Sequence, residues 1–417
     1  MQIPKCCGVS KSHEITSEED SNYGDENVER GNWSGKLDFI LSLIGYAVGM
    51  SNIWRFPILC YRNGGGAFLI PYVIFMMLCG MPLFFLEVAF GQFCSEGPIT
   101  AWKVCRLFRG AGYAMIIITG LTTIYYNVLI MYILYYFIAS FTAIPGVPWS
   151  ECNNEWNTPA CAIVQDHANI TNNNTLLLHQ LRNSGIHWDL ALILLLTWLV
   201  IFMCLIRGIK TSGKVVYVTA TFPYIVITIL ILRGVTLPGS LNGLKFFFIP
   251  RWELLASAKV WSDAATQVFF SLGPSWGGLL TMASYNKFHN NCLRDSVLVP
   301  IVNGATSIYC GIAVFSILGF LSKETGVELD KVVQAGPGLV FVVYPEALSR
   351  IPLSAFWSAL FFLMMFTVCL DSQFVMVENV CSAFIDNFPK LLRPKKSLFV
   401  LFVCMVSYVL GLPMTTS

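Results

Sequence analysis

The sequence predicts an all-α polytopic membrane protein, and three observations carry this prediction. Of the 417 residues, 55% are hydrophobic and only 12% are charged. The mean hydropathy is +0.64, and long apolar stretches recur along the whole chain. Because soluble domains carry about 25% charged residues, lipid must be the solvent for most of this protein.

Apolar stretches long enough to cross about 30 Å of hydrocarbon occur nine times. Each stretch must be helical, since lipid offers no hydrogen-bond partner to an exposed backbone group. The predicted spans are residues 37–60, 68–90, 113–141, 188–206, 215–235, 260–284, 297–321, 352–384 and 398–412.

The orientation follows from the tail and from the basic residues. Residues 1–35 are polar and acidic and lack the apolar segment of a signal peptide, which indicates a cytoplasmic N-terminal tail. Lysines and arginines between the spans fall on the same side as this tail, and cytoplasmic loops are rich in them. These residues are Lys103, Arg106, Arg109, Arg207, Lys210, Lys214, Lys287, Arg294, Lys390, Arg393, Lys395 and Lys396.

The longest polar segment, 142–187, is predicted to be extracellular. It carries two glycosylation sequons, at Asn169 and Asn173. Cys152 and Cys161 lie in the same loop, where an oxidising exterior favours a disulfide between them, although two free thiols are the alternative.

Two spans contain residues that a membrane helix normally avoids. Segment 45–57 combines glycines with Asn52, Arg55 and Pro57, and segment 271–278 has the sequence SLGPSWGG. Close helix packing through small residues is one interpretation of either segment alone. Both segments open successive groups of five spans, which favours an inverted repeat whose first and sixth helices are discontinuous and enclose a site at the membrane midplane.

This interpretation divides the chain into a first five-helix repeat at 36–235 and an incomplete second repeat at 236–417, with spans six to nine. Three ionisable residues at membrane depth also need partners, since each costs at least about 2.5 kcal/mol there. We interpret Glu87 as an acceptor for freed amides, Arg55 as a gate near the outer mouth, and Asp371 with Ser372 as a cation-binding pair.

Several motifs closely resemble those of sodium- and chloride-dependent neurotransmitter transporters, and the likeness covers nearly the whole chain after residue 31. The segment at 336–347 and Trp276 are most similar to the glycine transporter branch. The motifs are GYAVGMSNIWRFP at 45–57, NGGGAFLIPY at 63–72, PLFFLE at 82–87, YYN at 125–127, SYNKFHNN at 284–291 and LDSQ at 370–373.

The resemblance implies two sodium ions and one chloride ion as cofactors. Buried sodium needs a compensating negative charge, and position 307 is a serine rather than a carboxylate, so an anion must supply it. Without the family, each of these serines and asparagines is more often a helix-packing residue than an ion ligand, and only their joint occurrence favours ion binding. The implied ligands are Ala47, Asn52, Ser271 and Asn303 for the first sodium, Gly45, Val48, Val368, Asp371 and Ser372 for the second, and Tyr72, Gln267, Ser271, Asn303 and Ser307 for chloride.

The resemblance also implies an amino acid substrate. Amine-transporting relatives carry an aspartate at the position of Gly49, whereas glycine leaves room for a substrate carboxylate. By the same matching, Tyr126 donates to that carboxylate, Phe270 and Arg55 form the outer gate, and Trp276 shortens the pocket unless it only packs a helix interface. The other implied lining residues are Ala47, Ser51, Thr122, Ser271, Gly273 and Ser372.

We therefore expect sodium- and chloride-coupled symport of a small neutral amino acid, with glycine favoured over proline and GABA. The expected location is the plasma membrane, with lipid and substrate as partners, a possible homo-oligomer, and no nucleic acid. The family has twelve spans, so the chain is expected to be truncated after about nine. The alternative is a non-transporting form that assembles with full-length relatives and modulates them. An enzyme is disfavoured, because no P-loop or nucleophile elbow occurs.

Overall fold

The computed structural model describes residues 31–144, 146–150, 187–206, 208–326, 329 and 339–415, excluding the side chains of 209–212 and 339. The predicted disulfide of Cys152 and Cys161 and the sequons at Asn169 and Asn173 lie outside the described residues. Within them the protein is almost entirely helical, which confirms the all-α prediction.

The helices occur along the described residues in the following order. They are α1 (Lys36–Ala47), α2 (Phe56–Arg62), α3 (Gly66–Phe75), α4 (Met81–Cys94), α5 (Arg109–Ala139), α6 (Trp188–Leu205), α7 (Ile209–Val235), α8 (Ser240–Phe248), α9 (Ala258–Leu272), α10 (Gly278–Ala283), α11 (Cys292–Thr325), α12 (Tyr344–Ser349), α13 (Ser354–Asn387), α14 (Pro389–Leu392) and α15 (Lys396–Gly411). Short π-helical turns occur at Ser51–Arg55, Met76–Gly80 and Leu339–Val343, and 3₁₀ turns occur at Ala101–Val104, Arg106–Phe108, Pro148–Ser150, Trp252–Ala256, Arg393–Lys395 and Leu412–Thr415.

Seven of the nine predicted spans coincide with continuous helical segments that are long and apolar enough to cross a membrane. The first predicted span is instead two helical pieces, Lys36–Ala47 and Ser51–Arg62, bent by 43°. The sixth is the pair α9 and α10, separated by five residues. The predicted discontinuity of these two spans is therefore confirmed.

The first break is stabilised locally by an asparagine. After α1 ends, Val48 adopts an extended conformation with φ −85° and ψ 96°. The backbone N–H of Gly49 then donates to Asn52 Oδ1 at 3.1 Å, in place of a helical carbonyl. The helix resumes through a π turn, and Pro57, which has no backbone N–H, directly follows that turn at the second residue of α2.

The second break depends on backbone conformations that favour glycine. Gly273 ends α9 with φ +61°, and Gly277 precedes α10 with φ +83°. Between them Ser275 also has a positive φ of 68°, which is uncommon for a residue with a side chain. Residues 273–277 thus interrupt the helical conformation between α9 and α10.

The broken spans are enclosed by the most buried helices of the bundle. In α11 and α13, 72% and 78% of the most apolar window is buried, against 28% for the span Gly66–Cys94. The long helix α13 packs against α5, α7 and α1. Peripheral helices direct apolar side chains outward, as Leu78 and Leu86 show with 71% and 60% exposure. Such faces suit contact with lipid.

Candidate functional site

A cluster of neutral polar side chains connects the first break to α9 and α11. Asn52 Nδ2 donates to Asn303 Oδ1 and to Ser307 Oγ, both at 2.8 Å. Asn303 Nδ2 donates in turn to Ser271 Oγ at 2.9 Å. All four residues are at most 4% exposed. The structure therefore brings together three of the four predicted ligands of the first sodium, namely Asn52, Ser271 and Asn303.

The predicted chloride ligands extend this cluster. The hydroxyl groups of Tyr72 and Ser307 are 3.0 Å apart. Gln267 Nε2 donates to the Ser51 carbonyl at 3.1 Å, and Gln267 Oε1 is buried with no partner among the described residues. These hydroxyl and amide groups are neutral, so an anion among them is not repelled by a carboxylate.

Ser51 adds a hydroxyl within the same cluster. Its Oγ donates to Asn52 Oδ1 at 3.0 Å and approaches Ser271 Oγ at 3.3 Å. The side chain thus bridges the first break and α9. It lies beside two predicted sodium ligands, whereas the sequence argument placed it in the substrate pocket.

A second cluster surrounds Asp371 on α13. Thr219 Oγ1 of α7 donates to Asp371 Oδ1 at 2.5 Å. Ser372 Oγ donates to the carbonyls of Gly45 and Tyr46, each at 3.3 Å. Those carbonyls belong to the last turn of α1, where helical partners are missing. Oxygen donors of this kind suit a hard cation.

A small cavity of about 10 Å³ lies at this second cluster. Gly45, Val48, Val368 and Asp371, four of the five predicted ligands of the second sodium, line it. A Cβ at Gly45 would stand 2.8 Å from Asp371 Oδ2, so glycine is needed for the close approach. The residues present therefore fit a small cation.

Gly49 lies between the two clusters, since its N–H donates to Asn52 and its Cα faces Ser372. A Cβ there would stand 2.8 Å from Ser372 Oγ and 3.5 Å from the Tyr126 hydroxyl. Thr122 lies one turn before Tyr126 on α5 and is buried, as is Ala47 at the end of α1. The structure thus gathers Gly49, Tyr126 and Ser372 around one space.

The first and sixth spans also meet through a cationic and two aromatic side chains. The Arg55 guanidinium carbon lies 4.3 Å from the centre of the Phe270 ring. Phe270 meets Trp276 edge-on, with ring centres 5.8 Å apart. The three predicted gate and pocket residues are therefore in one stack, and cation–π attraction holds the arginine there.

Three contacts that sequence reasoning did not find hold the second break in place. Tyr46 packs against it, since a Cβ at Gly273 or Gly278 would stand about 2.7 Å from its phenol ring or hydroxyl. The Trp276 carbonyl accepts from Thr119 Oγ1 at 2.6 Å and from Asn379 Nδ2 at 2.9 Å. Thr119 and Asn379 lie outside the motifs quoted above, and Tyr46 lies within the motif at 45–57 but was assigned no role there.

Glu87 also contacts the second break, as the sequence suggested. Its Oε1 accepts a hydrogen bond from the backbone N–H of Ser275. This amide has no helical partner because Ser275 lies between α9 and α10. A membrane-embedded acid thus serves as the acceptor for a freed amide.

Two interrupted helices that face each other inside a bundle, with polar groups at both breaks, define a broken-helix secondary transporter fold. Residues 30–417 match the Sodium:neurotransmitter symporter family. The chain belongs to this family, and the membership confirms that it is not an enzyme.

Curated relatives agree with this assignment. The chain is 48% identical to sodium- and chloride-dependent glycine transporter 2 of Xenopus laevis over 94% of its own length and 55% of that protein. It is 47% identical to glycine transporter 1 of Xenopus laevis and 44% identical to GABA transporter 2 of Mus musculus, in each case over 94% of its own length. It spans 67% and 68% of those two proteins.

The fold is similar to that of a solved transporter. The crystal structure of MhsT in complex with L-phenylalanine superposes with a TM-score of 0.75 at 25% identity, over 93% of this chain and 80% of that one. The chain therefore spans somewhat more than half of the first curated relative and most of this solved structure.

Proposed function

We propose that the chain is a sodium- and chloride-coupled symporter that carries a small neutral amino acid, most favourably glycine, by alternating access. The observation that carries this proposal is the close packing around Gly49. A methyl group at this position would stand 2.8 Å from Ser372 Oγ, while the Tyr126 hydroxyl would lie at an ordinary contact distance of 3.5 Å. Little room is left there for a substrate side chain, which favours glycine.

The polar groups around that space suit an amino acid. Under this proposal the Tyr126 hydroxyl donates to the substrate carboxylate, which also approaches the first sodium. Phe270 and Trp276 enclose the opposite end, where burying a larger side chain would cost about 1 to 3 kcal/mol through overpacking. The names of the glycine transporter relatives support the same choice.

Sodium coupling is assigned to the two clusters. The neutral cluster with Asn52 binds the first ion, and the cluster with Asp371 binds the second. Chloride near Tyr72, Gln267 and Ser307 balances the first ion, because the polar contacts described there come only from hydroxyl and amide groups. Leaving a buried charge unbalanced costs about 3 to 5 kcal/mol.

The remaining assignments concern the whole protein. We place it in the plasma membrane with a cytoplasmic N-terminal tail, and the two repeats at 36–235 and 236–417 move against each other. Arg55 and Phe270 form the outer gate. Homo-oligomers or assembly with full-length relatives complete the proposed partners.

Transport of GABA is a second candidate, because a relative at 44% identity bears that name. The crowding at Gly49 and the Trp276 ring favour glycine, since GABA has a longer carbon chain. The two substrates are therefore distinguished by competition rather than by ion dependence.

Uptake of labelled glycine by cells that express the chain tests the proposal. We expect uptake that falls when sodium or chloride is replaced, and that excess glycine inhibits more strongly than GABA or proline. Stronger inhibition by GABA would instead favour GABA as the transported substrate. If surface-expressed chain takes up none of the three, symport is contradicted, and co-expression with a full-length relative then tests the modulating role.

A further inference from the structure

The carbonyl of Trp276 lies in the second break, between α9 and α10. Thr119 Oγ1 of α5 donates to it at 2.6 Å, and Asn379 Nδ2 of α13 donates to it at 2.9 Å. A carbonyl oxygen has two lone pairs, so these two donors satisfy it fully. Thr119 and Asn379 are 1% and 0% exposed, so both bonds form away from bulk water. We call this pair of side chains the carbonyl clamp.

The amide of Asn379 is itself fixed in orientation. Its Oδ1 accepts from Thr281 Oγ1 of α10 at 2.6 Å, and its Nδ2 also donates to Thr119 Oγ1 at 3.3 Å. A Cβ at Gly277 would stand 3.2 Å from both polar atoms of the amide, so the amide packs against the backbone directly after Trp276. The side chain of Asn379 therefore contacts α5, the break and α10 together.

The two helices that carry the clamp also carry side chains proposed to contact the substrate. Thr119 and Tyr126 are seven residues apart on α5, and Ser372 and Asn379 are seven residues apart on α13. Residues with this spacing share one face of a helix and stand about 10 Å apart along its axis. Because α5 and α13 are continuous helices that pack against each other, the clamp fixes the distance of Trp276 from Tyr126 and Ser372.

The backbone on either side of Trp276 does not hold this residue by helical geometry. Ser275 and Gly277 both have positive φ angles, so Trp276 is not part of a helical turn. Its ring meets Phe270 edge-on, and Phe270 is itself 39% exposed. The two hydrogen bonds to the carbonyl therefore anchor Trp276 to the rigid helices of the bundle.

We infer that Thr119 and Asn379 are positioning residues that set the size limit for the transported amino acid. This inference rests on the function proposed above, in which Trp276 encloses the side-chain end of the substrate. While the clamp holds its carbonyl, the backbone of Trp276 stays in place and the ring closes the space. When one of the two hydrogen bonds is lost, Trp276 shifts and leaves room for a methyl group. The clamp acts through Trp276 and does not touch the substrate.

Two variants each remove one donor to the carbonyl and nearly keep the side-chain volume. They are Thr119→Val and Asn379→Leu. Thr119→Ser is the conservative variant, because it keeps the hydroxyl. Thr123→Val is the matched control, since Thr123 is a threonine one turn further along α5 that is 2% exposed. Its hydroxyl donates to the backbone carbonyl of Thr119 within the helix and not to the break.

The measurement is binding of labelled glycine to the full chain in lipid nanodiscs in sodium chloride, with unlabelled alanine as the competitor. The ratio of the Ki for alanine to the Kd for glycine reports the room available for one methyl group. A variant that folds poorly loses binding sites, but the sites that remain keep their ratio. A merely structural role therefore does not change this quantity.

We expect the ratio to fall about 2- to 10-fold in Thr119→Val and in Asn379→Leu, because alanine binds more tightly. This range corresponds to the loss of one hydrogen bond. Thr119→Ser and Thr123→Val should keep the wild-type ratio. An unchanged ratio in Thr119→Val, which loses a single hydroxyl, overturns the inference. An equal fall in Thr123→Val also overturns it, since that variant leaves both donors in place.

The outcome also separates this inference from the proposed function. A wild-type chain that binds no glycine would contradict the proposed substrate and the clamp together. A wild-type chain that binds glycine, with clamp variants at the wild-type ratio, would contradict only the clamp. A chain that shows the expected ratios but takes up no glycine in cells would contradict only the symport proposal.

Discussion

The two polar clusters at the first break differ in how they are satisfied. In the cluster of Asn52, neutral amides and hydroxyls hydrogen-bond to one another at 2.8 to 2.9 Å. In the cluster of Asp371, one carboxylate receives a single side-chain hydrogen bond from Thr219. The first cluster is arranged by its own contacts, whereas the second carries a charge that its described neighbours do not balance.

The cluster of Asp371 therefore depends on a cation for its charge balance, whereas the cluster of Asn52 does not. A neutral network pays little for being buried when each member has a partner. A cation that binds in this neutral network, however, needs an anion bound beside it. A buried carboxylate has the opposite requirement, since a cation relieves its cost. Substitutions that exchange these properties between the clusters test the comparison.

The largest expected effect comes from placing a carboxylate in the neutral cluster. Ser307→Glu supplies the negative charge that chloride provides in the proposal, and an unbalanced buried charge costs about 3 to 5 kcal/mol. We expect sodium-dependent glycine uptake that no longer falls in chloride-free medium. Ser307→Ala, which adds no charge, should keep its chloride dependence. Equal chloride dependence in both variants would contradict the charge-balance argument.

The reverse exchange neutralises the acidic cluster. Asp371→Asn removes the charge that attracts the second cation, and a charge-assisted contact is worth about 1.5 to 3 kcal/mol. The half-saturating sodium concentration for uptake should rise about 10- to 150-fold. Asp295→Asn is the control, since Asp295 is equally buried but pairs with Lys36 at 3.7 Å. A similar rise in that control would point to general destabilisation.

A methyl group between the clusters should weaken substrate binding. Gly49→Ala brings a Cβ to 2.8 Å from Ser372 Oγ, and overpacking costs about 1 to 3 kcal/mol. The KM for glycine should rise about 5- to 150-fold. Gly120→Ala on α5 is the matched control, because a Cβ there meets nothing within 4 Å. Wild-type KM in Gly49→Ala would show that substrate binds elsewhere.

The smallest effect is expected at Ser51. Ser51→Ala removes the hydrogen bonds to Asn52 and Ser271 but leaves the neutral cluster otherwise connected. The loss of about 0.5 to 1.5 kcal/mol should raise the half-saturating sodium concentration about 2- to 10-fold, with the KM for glycine measured at saturating sodium unchanged. Ser316→Ala, a buried serine on α11, serves as the control. An effect confined to KM would return Ser51 to the substrate pocket.

The sequence predicts the breaks well, because their cause is local. Gly49 has a low helix propensity and Asn52 offers a side-chain acceptor to a freed amide, and the glycines at 273 and 277 favour the positive φ angles found there. The resemblance alone predicts that Asn52, Ser271 and Asn303 lie close together. Each amide or hydroxyl is ordinary in a membrane helix, so spacing does not show which ones meet.

Other contacts lay beyond sequence reasoning for a physical reason. Thr219 reaches Asp371 only because α7 and α13 pack with those faces together, and a threonine in an apolar helix carries no signal of that rotation. The span predicted at 352–384 ends three residues before the helix does. The helix continues to Asn387, and near its end Asp386 accepts from the backbone N–H of Gly97 at 2.9 Å, a contact distant in sequence.

Tyr46 has a mechanical consequence. Its ring belongs to α1 but fills the angle between α9 and α10, in contact with both Gly273 and Gly278. Its hydroxyl also donates to the Gly273 carbonyl at 3.4 Å. A tilt of α1 therefore displaces the elbow of the sixth span at the same moment. We therefore expect one phenol ring to couple the two interruptions mechanically.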